Sequence, residues 1–205
     1  MIKNIVFDLG NVLINFKPEK YLERTLENKS LVNMLCKAIF NSPEWLELDR
    51  GSISLEEAIN LMCEKNMGIA GYIRTCMKNY HNMFTPVSGT VKTLEILKRN
   101  GFRLYYLSNF HLKAFNYIFN EYEFFSLFDG GVVSSHVNLL KPQKEIYEML
   151  ISKYGLVAGE TLFIDDTLEN IISAGVLGFK TLHFKDVKDA NKIIDMVNQY
   201  ITRGG

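Results

Sequence analysis

Several features are missing from this sequence, and each absence excludes something. Neither sign of charge dominates, because Lys plus Arg and Asp plus Glu both number 23. Without a basic stripe or a block of like charge, neither a nucleic-acid partner nor a charged tail is expected. No apolar run approaches the roughly 18 residues that a membrane crossing needs, so no membrane partner is expected either. The first residues read as a strand, not as a charged-then-apolar leader. Cysteine is sparse, and Cys36, Cys63 and Cys76 show no CxxC or zinc spacing. Such thiols suit a reducing cytosol, so the expected location is cytoplasmic, although two of them could still pair. There is no internal repeat and no low-complexity segment.

What is present is the composition of an ordinary globular protein. An apolar fraction of 47% provides for a sizeable core. A length of 205 residues suits one domain, or one core with an insertion.

The stretch Lys3-Asn4-Ile5-Val6-Phe7-Asp8-Leu9-Gly10-Asn11-Val12-Leu13-Ile14 organises the rest. Ile5, Val6 and Phe7 suit a strand buried on both faces. Asp8 follows at once, and then come the turn residues Gly10 and Asn11. An acid at the carboxyl end of a buried strand lies where open α/β sheets place their ligands. Asp8 is therefore the candidate nucleophile. A carboxylate is ionised at neutral pH and can form an acyl-phosphate without a base to activate it. The bland alternative is an Asp that caps the turn.

From about Lys17 to Thr85 the spacing is helical, with no convincing strand. Pro18 opens a helix over 19–27. Leu31, Leu35, Ala38 and Ile39 keep helical spacing in a second. Ser54 with Glu56 and Glu57 starts a third, whose apolar face is Ala58, Ile59, Met62 and Cys63. A fourth covers 72–83. Four helices in a row predict a small bundle inserted after the first strand. From Val91 onward helices and strands alternate. Helices are expected over 91–99, 111–122, 142–154, 168–177 and 186–201. Strands are expected over 103–107, 131–134, 161–164 and 180–184. Such alternation predicts a parallel sheet with right-handed crossovers.

Three strand ends carry polar residues: Asp8, then Ser108 and Asn109, then Asp165 and Asp166. In a parallel sheet these ends share one edge. Asp8, Asp165 and Asp166 together would repel one another without a cation, and hard oxygen ligands of this kind suit Mg²⁺. Lys141, at the head of a helix, can place an ammonium on a phosphate, with Ser108 beside it. Each piece alone has a bland reading: a solvated helix start, a loop after a strand, an N-cap pair, a solvated Asn170.

In order, Val6-Phe7-Asp8-Leu9-Gly10-Asn11-Val12-Leu13, Leu107-Ser108-Asn109, Lys141-Pro142 and Phe163-Ile164-Asp165-Asp166, with Asn170 beyond, make the chain resemble the haloacid dehalogenase-like superfamily. This is mostly a family of aspartate-nucleophile phosphatases, and the resemblance covers nearly the whole chain. It implies an α/β fold, a Rossmann-like doubly wound parallel sheet with an inserted α-helical cap. Residues 1–15 and 86–205 would form the catalytic core and 16–85 the cap. It implies Mg²⁺-dependent hydrolysis of a small phosphorylated metabolite, a sugar phosphate among the candidates, through an aspartyl-phosphate on Asp8. Ser108 would hold a phosphate oxygen and Lys141 would steady the phosphoaspartate, with Asn11 and Asn109 also facing substrate. Asp8, the Gly10 carbonyl, Asp165 and Asp166 would hold the metal, directly or through water. The segment Trp45-Leu46-Glu47-Leu48-Asp49-Arg50-Gly51 resembles cap sequence of a subgroup that includes sugar phosphatases. Trp45, Tyr21 and Met67 are expected to line the cap side of the pocket. His81, His136 and His183 are read as surface or core residues.

The sequence departs from the family at Gly10. Most of its phosphatases carry a second Asp there, which protonates the leaving alcohol and then activates water. Loss of such a group lowers the rate by roughly 10²–10⁴-fold. A sugar 1-phosphate would suffer less, because an anomeric hydroxyl is a better leaving group than a primary alcohol. Asn11, Asn109 and His111 are the nearest replacements in sequence. Two other classes remain open: a metal-free dehalogenase, which the Asp165-Asp166 pair argues against, and a catalytically weak module that binds a phosphorylated ligand.

Overall fold

The computed structural model describes residues 1–186 and 188–202. Val187 and 203–205, within the expected closing helix and core, lie outside the described residues.

The chain opens with β1 (Asn4–Phe7) and β2 (Ile14–Asn15). Five α-helices follow: α1 (Pro18–Glu23), α2 (Lys29–Ala38), α3 (Pro43–Arg50), α4 (Leu55–Lys65) and α5 (Ala70–Asn79). Then come β3 (Thr85–Pro86), α6 (Ser88–Arg99), β4 (Arg103–Ser108), α7 (Leu112–Glu121), β5 (Gly130–Val133) and the single turn α8 (Ser134–Val137). The chain continues with α9 (Lys144–Tyr154), β6 (Thr161–Asp165), α10 (Leu168–Val176), β7 (Lys180–His183) and α11 (Asp189–Thr202). None of the described helices is long and apolar enough to cross a membrane.

The main sheet is five-stranded and parallel, in the order β5-β4-β1-β6-β7. It is the expected Rossmann-like α/β architecture. β1 is the middle strand and is buried along its whole length. Its side chains alternate between faces. Ile5 and Phe7 join the larger core with Leu94, Leu97, Ala114, Phe115 and Ile193. Val6 joins the smaller one with Tyr105, Phe163, Ile146, Tyr147 and Leu150. Phe7 stands opposite both Tyr106 and Ile164. That register brings the residues after β1, β4 and β6 out along one edge of the sheet.

The insertion departs from expectation in two ways. It has five helices where four were expected, and the missed one is α3. Its signals are nevertheless local. The Ser42 hydroxyl accepts from the Trp45 N–H, Pro43 occupies the first turn, and Gly51 ends the helix at φ 82°. In addition, β2 and β3 pair antiparallel where the chain leaves and re-enters the sheet, with Asn15 opposite Thr85. The first helix stops at Glu23, short of Glu27, α9 begins at Lys144, and α11 at Asp189. Cys36, Cys63 and Cys76 are free thiols.

The carboxyl end of α3 is fastened to the sheet domain. Ser134 Oγ donates to the Asp49 carbonyl and Asn138 Nδ2 to the Arg50 carbonyl at 3.2 Å. The Arg50 guanidinium donates to Gln143 Oε1 at 3.0 Å. Gly51 permits this approach, because a Cβ there would lie 2.6 Å from the Ser135 carbonyl oxygen. The same residue holds a positive φ, which favours glycine. Gly51→Ala is expected to destabilise the fold by on the order of 1–3 kcal/mol, read as a lowered Tm. An unchanged Tm would show that this contact does not constrain the chain.

Candidate active site

The site forms at the carboxyl ends of β1, β4 and β6. Asp8 follows β1 and is 7% exposed. Its Oδ1 collects three donors: the Leu9 N–H at 2.7 Å, Ser108 Oγ at 2.7 Å and Lys141 Nζ at 2.9 Å. Lys141 Nζ also donates to Asp165 Oδ2 at 2.6 Å, so its ammonium joins two carboxylates. Lys141 reaches this point from the loop before α9, where the Lys141–Pro142 peptide is cis. Its main chain is gripped by Asn109, whose Oδ1 accepts from the Lys141 N–H at 2.9 Å and whose Nδ2 donates to the Lys141 carbonyl at 3.0 Å.

Asp165 is fully buried. Its oxygens accept from Asn170 Nδ2 at 3.0 and 3.1 Å, and Oδ1 also accepts from the Thr167 N–H at 2.8 Å. Asp166 lies nearer the opening, and its Oδ2 accepts from Asn11 Nδ2 at 3.0 Å. Asn11, at φ 53°, also accepts from the Phe16 N–H through Oδ1. It therefore ties the loop after β1 to the loop after β6.

Ligand atoms of Asp8, Asp165 and Asp166 lie within 4.8 Å of one another. Three carboxylates against one ammonium leave a local excess of negative charge. Burial pushes the Asp8 carboxyl up to about 7; Lys141 opposes the rise, Asp165 and Asp166 add to it, and the Ser108 hydrogen bond opposes it. Burial likewise raises Asp166, against its hydrogen bond from Asn11. For Lys141, burial disfavours the charge, but Asp165 and Asp8 outweigh it and hold the ammonium above its usual range. A donor set of carboxylate oxygens, with no thiolate or imidazole, fits a hard divalent cation such as Mg²⁺.

The expected residues thus meet, with some changed parts. Asp8, Ser108, Lys141, Asp165 and Asp166 converge. Asn11 and Asn109, expected to face substrate, use their amides on Asp166 and on the Lys141 main chain, and so position the site. Asn170 is not solvated, since it holds Asp165. Gly10 lines a cavity of about 50 Å³ with Phe16, Trp45, Asp49, Phe84, Asn109, Phe110 and His111. Trp45, expected on the cap side of the pocket, is among the residues lining this cavity. Tyr21 is not, because its hydroxyl donates to the Asn79 carbonyl and its ring lines a separate groove with Lys17 and Arg24. Met67 is 84% exposed, on a turn whose apolar contacts are made by Ile69 instead.

His111, a candidate replacement for the missing acid, is unsuited to that task. It is 1% exposed, and its Nδ1 accepts the Ala114 N–H at the start of α7. Burial, with a smaller effect of Lys113, holds its pKa down to about 3, so the ring is neutral at physiological pH. Its Nε2 has no partner. From sequence, Asp49 is read only as part of the cap-like stretch 45–51, with no role of its own. The available signal was an acid four residues after Trp45 and one after Leu48, on the apolar face of a helix.

A family model for haloacid dehalogenase-like hydrolases matches residues 2–178. The chain belongs to the haloacid dehalogenase-like hydrolase family. Among curated relatives, it is 28% identical to the sesquiterpene phosphatase astK of Aspergillus oryzae, over 90% of each chain. It is 24% identical to a D-ribitol-5-phosphate phosphatase of Bacteroides thetaiotaomicron, over 88% of this chain and 91% of that protein. Its fold matches a HAD family enzyme from Bacteroides thetaiotaomicron, solved with magnesium and inorganic phosphate. The TM-score is 0.70 at 23% identity, covering 90% of this chain and 95% of that one.

In this hydrolase, removing the ammonium would leave Asp165 buried beside Asp8 with no cation. Lys141→Met is expected to lower stability by about 3–5 kcal/mol, measured by denaturant unfolding without metal. A loss well under that range would contradict the central place given to Lys141.

Proposed function

We propose that this hydrolase is a Mg²⁺-dependent phosphatase acting on a small phosphorylated metabolite through an aspartyl-phosphate on Asp8. The observation that carries the reading is the meeting of Asp8, Ser108 and Lys141 beside Asp165 and Asp166. Asp8 attacks phosphorus, and Ser108 and Lys141 are near enough to its carboxylate to hold oxygens of the transferring group. Asp8, Asp165, Asp166 and the Gly10 carbonyl would hold Mg²⁺, which would offset the charge of the acids and the phosphate. Residues 16–85 act as the cap and 1–15 with 86–205 as the catalytic core. A small cavity under α3, walled by Phe16, Trp45, Phe84 and Phe110, puts an apolar surface beside Gly10. Two of the relatives are named as phosphatases, one of a sesquiterpene and one of a sugar-alcohol phosphate, which supports phosphate esters as the substrate class. Sugar phosphates and short apolar phosphate esters both belong in a substrate panel. Dehalogenation is the weaker reading, because attack on carbon has no use for the three-carboxylate cluster.

Phosphate release from such a panel is expected with Mg²⁺, to vanish with chelator, and to vanish in Asp8→Asn. Halide release from 2-haloacids without metal would overturn the assignment.

The acids also predict how metal and pH combine. Burial raises Asp8 to about 7, so the folded chain keeps a proton that the unfolded chain loses near pH ~4. Metal-free stability from this group is full below that pH and is lost as pH climbs through about 7. Mg²⁺ competes with the proton, so the rise in Tm it produces should be larger at about pH 8 than at about pH 5. An equal rise at both would contradict binding at Asp8.

A further inference from the structure

We infer that Asp49 is the proton-transfer residue that Gly10 does not provide, its carboxyl protonating the departing alcohol and then deprotonating the attacking water. The inference rests on the phosphatase reading.

Placement carries it. Trp45, Leu48 and Asp49 share the face of α3 that packs toward the sheet domain, and Trp45 and Leu48 are buried there. An acid on that face needs a reason. Asp49 lines the same small cavity as Gly10 and Asn109, the residues two beyond Asp8 and one beyond Ser108. Nothing lies within 4 Å of the position a Gly10 Cβ would take, so the room left by the missing side chain is open. A cavity of about 50 Å³ holds a water or two. The position of Asp49 is fixed by the bonds from Ser134 and Asn138 to the last carbonyls of α3.

The chemistry fits. Burial pushes the Asp49 carboxyl up to about 7, against the His111 main-chain N–H and the Trp45 indole, which favour ionisation. Its acid and carboxylate forms therefore coexist near neutral pH, as a group that gives and then retakes a proton requires. The titratable groups that face it are His111, held neutral by burial, and Tyr80, whose hydroxyl burial raises. On its own helix, Glu47 and Arg50 pair with each other at 3.6 Å. In the first step the Asp8 oxygen bonds to phosphorus, the bond from phosphorus to the ester oxygen breaks, and that oxygen takes the Asp49 proton. In the second, water attacks phosphorus and gives its proton to Asp49. The phosphorus–Asp8 bond then breaks and phosphate departs.

The test compares wild type, Asp49→Asn and Asp49→Asn with Gly10→Asp, in Mg²⁺, on an alkyl phosphate and on p-nitrophenyl phosphate. Asp49→Asn should lower kcat on the alkyl ester by about 10²–10⁴-fold. On the nitrophenyl ester, whose leaving group needs no proton, it should release about one equivalent of nitrophenolate in a burst and then turn over slowly. Adding Gly10→Asp should restore alkyl ester turnover. Asp49→Ser, read the same way, replaces Asp49→Asn if that variant unfolds. Equal losses on both esters, with no burst and no recovery by Gly10→Asp, would make Asp49 a structural acid and overturn the inference alone. A wild type that releases phosphate from neither ester would overturn the phosphatase reading, and this one with it.

Discussion

A single ammonium, Lys141 Nζ, sits buried between two carboxylates that arrive from different strands. It lies 2.9 Å from Asp8 and 2.6 Å from Asp165. Burying three charges is expensive, and their mutual attraction offsets that only when the geometry is good and the remaining oxygens are satisfied. Here Ser108 and the Leu9 N–H meet Asp8 Oδ1, and Asn170 and the Thr167 N–H meet the Asp165 oxygens. The parallel register of β1 with β4 and β6 makes this possible. The arrangement still carries one positive charge against three acids, and a cluster so unbalanced is suited to receive a divalent cation and an anionic substrate.

Several residues around that centre hold the others in place. Asn109 fixes the Lys141 main chain from both sides. Asn11 ties two loops, and Asn170 fixes Asp165. The insertion closes over the edge of the sheet through α3, so the cavity wall is made jointly by the loop after β1, the start of α7 and an inserted helix. Its aromatic rings pack edge and face, with Phe16 stacked on Trp45 and Trp45 edge-on to His111. On the proposed reading, substrate choice and proton transfer would both depend on how α3 docks.

Much of the fold was legible because apolar strands and their polar ends are local signals. Ile5-Val6-Phe7 and Leu162-Phe163-Ile164 read as buried strands, and the acids after them marked the edge. The parallel sheet then followed from alternation alone. What was not legible depended on direction or on packing between distant segments. Asn11 and Asn109 lie beyond the strand ends, as their positions in the sequence imply, but the atoms their amides meet are set by loops 155 and 32 residues away. Tyr21 and Met67 sit on the insertion, as expected, but on surfaces turned from the site. α3 carries Ser42, Pro43 and Gly51 signals, but its eight residues are too few to show a helical period. Asp49 could not be given a role before the docking of that helix was known.

The most direct measurement is to quench the protein in acid during turnover of a phosphate ester with Mg²⁺ and locate any covalent phosphoryl group by peptide mass. A phosphoryl group on the peptide carrying Asp8, absent from Asp8→Asn, is the expected result. Phosphate released with Asp8 never modified, or a phosphoryl group on another residue, would contradict a nucleophile at the end of the central strand.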